Sequence, residues 1–292
     1  EPSGVFLEHT FSPIVEFTLL SMAPGFTHAQ RCDALVQAMR IYNSVGTTSV
    51  FEGHGVSADV VAAYHHVRNI GRQTLRAHLV FSPSWAGTSV EDIRTMLNSW
   101  AHWIGRRGLG DGWLRVADIF TQIDDTSQGQ IRARIPIQTG WAGYSPDCGL
   151  PRQAVVELMM EAARNDIRIT ALHAEALDLM AEVNRQIPLA GRRWILGHQF
   201  SFNAERVELI KELGLVLTTH TNRHIYKEGS AIRRRLGPGK ENTIVPLRTL
   251  LDAGVPVAFG TDGLPPSLFM PIWQAVERVD GRTGEIIGPD QR

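Results

Sequence analysis

Residues 246–263 read PLRTLLDAGVPVAFGTDG, and this stretch decides the fold. Its first half places Leu247, Leu250 and Leu251 at helical spacing and stops at Gly254, a residue that accepts the left-handed conformation closing many helices. A short apolar run, 257–260, follows at once and reads as a strand. The strand ends in Thr261 and Asp262, so a carboxylate is delivered to its C-terminal end. Helix, glycine, strand, polar end: one unit of a parallel α/β sheet is written in eighteen letters.

The same punctuation recurs upstream. Predicted strands lie at 48–51, 74–81, 113–119, 168–173, 193–197 and 216–219. Predicted helices lie at 28–45, 58–69, 90–106, 152–165, 174–185, 204–213 and 245–253, and Thr27 is placed to cap the first of them. Leu213-Gly214-Leu215 repeats the helix-to-strand junction. Seven strands alternating with helices in one chain favour a closed barrel over an open nucleotide-binding sheet, and no G-x-G-x-x-G follows the first strand. We read residues 1–292 as a single barrel domain. The stretch 124–150 is too long for an ordinary strand-to-helix loop and reads as a lid or binding loop.

Composition narrows the function classes. Hydrophobic residues make up 43%, charged residues 20%, and the formal net charge is −1. No basic stripe suggests nucleic acid, and the Arg233-Arg234-Arg235 cluster is too short to change that. No apolar run approaches the roughly 18 residues of a membrane span. Two separated cysteines, Cys32 and Cys148, are not a disulfide framework; read as reduced thiols, they suit a cytoplasmic protein.

In an α/β barrel, chemistry sits where strands end. Three strand ends are polar: His173 after ITAL, His198 after WILG, and Asp262 after VAFGT. Two imidazoles and a carboxylate suit Zn²⁺ and similar divalent ions, and a carboxylate beside such an ion can serve as general base. Each residue alone has a blander reading as a hydrogen-bonded structural group; the joint pattern on successive strands carries the inference. Glu52 and His54 end another strand in FEGHG. His78 inside a strand reads as a satisfied interior residue, and Asp124 and Asp125 as a turn or a ligand.

These motifs resemble the amidohydrolase superfamily, and the nearest pattern is the branch of N-substituted formamide deformylases. SGVFLEH (3–9), NSVGTTSVFEGHG (43–55), ALHAEALDLM (171–180), WILGHQ (194–199), KELGLVLTTHTNRHIY (211–226), PLRTLLDAGVPVAFGTDG (246–263) and PIWQAVERV (271–279) carry the resemblance. It implies a (β/α)8 metallo-dependent hydrolase barrel whose first strand and flanking β-sandwich lie outside these residues; both chain ends read as cuts in a longer polypeptide. It implies metal ligation by His173, His198 and Asp262, and proton shuttling by Asp262. It further implies a substrate-facing His224, with His220 as competitor for that role.

No His-x-His pair completes the site within these residues. Phe120 stands where many relatives carry a bridging lysine, and the lysines present, Lys211, Lys227 and Lys240, lie elsewhere. One metal is therefore expected, Zn²⁺ with Mn²⁺ or Fe²⁺ as substitutes. Trp141 and Tyr144 in the long connection are candidate walls of a small-molecule pocket. The implied reaction is hydrolysis of an amide, formamide or cyclic-amide C–N bond. Lyase, hydratase or isomerase chemistry on the same barrel, and a non-catalytic binding relative, are the alternatives. The aromatics Trp100, Trp103 and Trp273 leave room for a helix-mediated homodimer.

Overall fold

The computed structural model describes residues 3–5, 24–85, 87–125, 149–172, 174–262 and 266–292. The candidate residues Trp141, Tyr144 and His173 lie outside the described residues. The chain forms two compact units, one from residues 1–39 and 49–170, the other from 40–48 and 171–292. Helix α1 (His28–Ser44) opens the described chain. Thr27 and Gln30 cap it reciprocally, the Thr27 hydroxyl accepting from the Gln30 amide at 3.2 Å and Gln30 Oε1 accepting from the Thr27 amide at 2.9 Å.

In the first unit, β1 (Ser49–Val56), β2 (Arg76–Phe81) and β4 (Leu114–Ile123) run parallel in that order. Ala77 sits opposite both Val50 and Leu114. Helices α2 (Ala58–Asn69) and α3 (Val90–Trp100) make the crossovers. Ser89 and Asp92 form a capping box that starts α3, and Ile93 and Leu97 are its buried stripe. Two-residue strands β3 (Leu109–Gly110) and β5 (Gly149–Leu150) add to β4. Helix α4 (Arg152–Arg164) buries Leu158, Met159 and Ala162 completely. Its start is held by the Asp125 carboxylate, which accepts from the Arg152 amide, so Asp125 takes the turn role.

Several polar expectations resolve here. His78 Nε2 lies 3.1 Å from the buried Asp118 carboxylate, whose other oxygen accepts from Arg168 Nε at 2.6 Å. Glu52 accepts from the Tyr64 hydroxyl on α2, and burial pushes its carboxyl above the usual range against that bond. The predicted helix 90–106 stops at Trp100. Trp100, the last residue of α3, and Trp103, in the turn that follows, pack on Phe81 at 5.6 and 6.0 Å, within their own unit.

Strand β6 (Ile169–Leu172) crosses the boundary between the units. In the second unit, β7 (Ile195–Gly197), β8 (Val216–Thr219) and β9 (Val257–Phe259) are parallel neighbours in that order. Helices α5 (Glu175–Asn184), α6 (Ala204–Glu212), α7 (Gly229–Leu236), α8 (Leu247–Asp252) and α9 (Phe269–Glu277) alternate with them. Gly214 and Gly254 take φ of +64° and +76° at the two helix-to-strand junctions, as their positions in the sequence require. Leu177, Val183, Leu196, Ile210 and Leu217 form the core, and Ile225, Ile232, Ile244 and Ile287 a second cluster. The wholly buried Arg278 donates to the carbonyls of Ile244, Val245 and Ile287, tying the C-terminal segment down. Among the described residues, no helix is long and apolar enough to cross a membrane.

Candidate metal centre

The register Leu217 opposite Val257 and Ile195 opposite Val216 brings the ends of three parallel strands to one edge of the second unit. His198 follows β7 directly, His220 follows β8 directly, and Asp262 stands three residues past β9. One potential ligand atom from each lies within 4.8 Å of the others. A divalent ion at ~2.0–2.2 Å from each ligand spans at most ~4.4 Å, so side-chain rotation of a few tenths of an ångström closes the set.

Local bonds fix the rim. Thr219 Oγ1 donates to the Gln199 carbonyl at 2.7 Å, and the Gly260 amide donates to the Thr219 carbonyl at 2.9 Å. The His220 ring lies over Gly260: a β-carbon there would come within 2.7 Å of Nε2, so only glycine leaves the imidazole its place. His198 (φ +56°) and Asp262 (φ +45°) both adopt the left-handed backbone. Side chains rarely accept that conformation, and such strain concentrates at functional sites.

The histidines form a packed series. The His198 and His220 rings meet edge to face at 4.6 Å, and His220 and His224 lie 6.1 Å apart. His224 sits on a π-helix, Asn222–Lys227, against Phe200. His220 and His224 are buried. Among the described residues, His220 Nδ1 and both ring nitrogens of His224 have no hydrogen-bond partner. Burial lowers the pKa of His220 despite the opposing pull of Asp262. Burial, then His220 and Arg223, push His224 down to about 3. Both imidazoles are thus neutral at pH 7, and their lone pairs are free to meet a cation. Burial pushes the Asp262 carboxyl up, but His198, His220 and Arg223 together outweigh it and hold the group below the usual carboxylate range.

The expected residues His198 and Asp262 are therefore brought together, and His220 stands with them. His224 lies one position behind, next to His220. Sequence reading missed Arg223 and Glu228. Arg223 Nη1 lies 3.4 Å from Asp262 Oδ2, its Nε lies 3.4 Å from Glu228 Oε1, and Glu228 Oε2 lies 3.9 Å from His224 Nδ1. The run H-T-N-R-H-I-Y-K-E from His220 to Glu228 was the available signal, since helical spacing gathers its charged members on one side.

The donor set fits a borderline divalent cation: two imidazoles and a carboxylate, with His220 Nδ1 buried and without a hydrogen-bond partner among the described residues. Buried polar atoms left unpaired cost about 1–3 kcal/mol each, so such a group calls for a function or an ion.

No curated protein matches the sequence. Among solved structures, an uncharacterized metal-dependent hydrolase from Pyrococcus horikoshii superposes with a TM-score of 0.66 at 16% identity, over 91% of this chain and 52% of that one. A second, from Pyrococcus furiosus, gives 0.61 at 15% identity, over 91% and 53%. A triazine hydrolase variant gives 0.51 at 15%, over 90% and 55%. The chain spans about half the length of these structures. At such identities the likeness shows the fold, the α/β metallo-dependent hydrolase barrel type anticipated from the strand-end motifs. The sequence itself matches the amidohydrolase family over residues 5–292, and to that family the chain belongs.

Proposed function

We propose that this chain carries the metal site of a hydrolase that cleaves a C–N bond in an amide, formamide or cyclic amide, in the manner of the formamide deformylase branch its motifs resemble. The observation that carries this reading is the triad of His198, His220 and Asp262 at three strand ends, with a buried His220 nitrogen that has no partner among the described residues. These three hold one divalent ion, Zn²⁺ in first place and Mn²⁺ or Fe²⁺ as substitutes; His173, outside the described residues, is the fourth candidate. The ion supplies Lewis acidity and lowers the pKa of water beside it.

The chain's own residues do the rest. Asp262 is ionised and its carboxylate is partly open to solvent, so it can take a proton from attacking water and return it to the departing nitrogen. His224 is neutral and buried, and an N–H from its ring can polarise the substrate carbonyl. Glu228 lies 3.9 Å from His224 Nδ1, through the oxygen that does not face Arg223 Nε, and places a negative charge beside that ring. Trp141 and Tyr144 remain candidates for the pocket wall.

The test is amine release from a panel of small amides and formamides by zinc-loaded protein. Metal-dependent amine release, lost on chelation, is expected. Bound zinc with no amine release from any member contradicts the C–N reading.

A further inference from the structure

We propose that Arg223 is the substrate-anchoring cation of this site, and that the amides it accepts carry a carboxylate close to the scissile bond. The inference rests on the reading that the site takes an amide. It starts from where Arg223 is fixed. Asn222 Nδ2 donates to the Thr261 carbonyl at 2.5 Å, and Asn222 Oδ1 accepts from the Arg223 amide at 3.0 Å. The backbone of Arg223 is thereby tied to the segment that carries Asp262.

Its guanidinium is unsaturated. Nη1 and Nε face Asp262 and Glu228 at 3.4 Å each. Charge-assisted hydrogen bonds are normally ~2.7–2.9 Å, so the bond to Asp262 and the ion pair with Glu228 are both long. A guanidinium offers five donors in a planar fork. Among the described residues, Nη2 has no partner, and the side chain is 45% exposed. Arg233 of the same unit behaves differently, closing on Glu285 at 2.8 Å.

Charge at the rim points the same way. Arg223 is the permanent cation among the groups acting on His220, His224 and Asp262; the histidines beside it are held neutral. Arg223 shares its charge between Asp262 and Glu228, and when Asp262 is engaged by a metal cation one of these two counter-charges is withdrawn. A substrate carboxylate restores it, and the fork matches a carboxylate in two-point geometry.

The probe is 3-benzoylpropionate, the ketone isostere of N-benzoylglycine, which has no C–N bond to cleave; its control replaces the carboxylate by a primary alcohol. Binding of both to zinc-loaded full chain is measured by calorimetry. The carboxylate should bind wild type about tenfold tighter than the alcohol, or more. That ratio should fall to near one in Arg223→Gln and stay intermediate in Arg223→Lys, with the alcohol's affinity unchanged and the circular dichroism of both variants native. Equal affinities in wild type, a preference that survives Arg223→Gln, or no binding of the carboxylate at millimolar concentration overturns the proposal. Amine release is scored separately. A carboxylate preference without amine release leaves Arg223 its role and removes the hydrolytic one; amine release without a preference does the reverse.

Discussion

Each unit holds a cluster of histidine, arginine and aspartate, and the two clusters are built to opposite ends. In the first unit Asp118 is fully buried, and both its oxygens are taken, by Arg168 at 2.6 Å and by His78 at 3.1 Å. In the second, Asp262 is 36% exposed, the nearest His220 nitrogen is 4.0 Å away, and Arg223 approaches only to 3.4 Å. Both aspartates sit on left-handed backbone, at φ +73° and +45°. The residue types are the same; the degree of satisfaction differs. A closed buried network stiffens a fold, whereas donors and acceptors joined only by long, partly exposed contacts are available to a ligand.

The comparison can be broken in four ways. Asp262→Asn should lower turnover by ~10²–10⁴-fold while zinc stays bound, the effect of removing a positioned general acid/base. Wild-type amine release by that variant would remove Asp262 from the chemistry. Asp118→Ala should leave zinc content unchanged and destabilise the fold by about 1–3 kcal/mol in urea titrations, because it removes the acceptor shared by the half-buried Arg168 and His78. A fully stable Asp118→Ala protein that no longer binds zinc would reverse the two assignments.

The third effect is on pH dependence. His224 titrates near pH 3 in the folded protein and near 6.5 when unfolded, so between those values the unfolded state binds the extra proton. Its contribution is therefore complete above about pH 6.5 and is lost as pH falls, by at most ~1.4 kcal/mol per pH unit. His224→Phe should flatten the stability profile between pH 6.5 and 4; an unchanged slope in that variant would show that other groups set it. The smallest effect is expected for His78→Gln, about 1 kcal/mol of stability or less and none on activity, since an amide can still donate to Asp118.

Much of this was legible in the letters. The apolar runs ending in His198 and Asp262 gave strands β7 and β9 and their polar ends, and Gly214 and Gly254 marked the junctions. Less legible was the segment after β8. His220 and His224 are four residues apart and share a helical face, so spacing cannot say which reaches Asp262. The answer depends on His220 standing before the π-helix begins, over the bare backbone of Gly260, and no local propensity distinguishes a π-turn from an α-turn. The pairing of His78 with Asp118 spans 40 residues and depends on the parallel register of β2 and β4. The Trp100 and Trp103 contacts with Phe81 depend in the same way on where α3 stops.

The central claim is that the second unit's strand ends hold a metal and the first unit's network does not. Zinc content by elemental mass spectrometry, measured on wild type, His198→Ala, His220→Ala and Asp118→Asn after dialysis against trace zinc, tests it most directly. The account predicts about one equivalent in wild type and in Asp118→Asn, and little in either histidine variant. Zinc retained in full by both histidine variants, with folding intact, would contradict it.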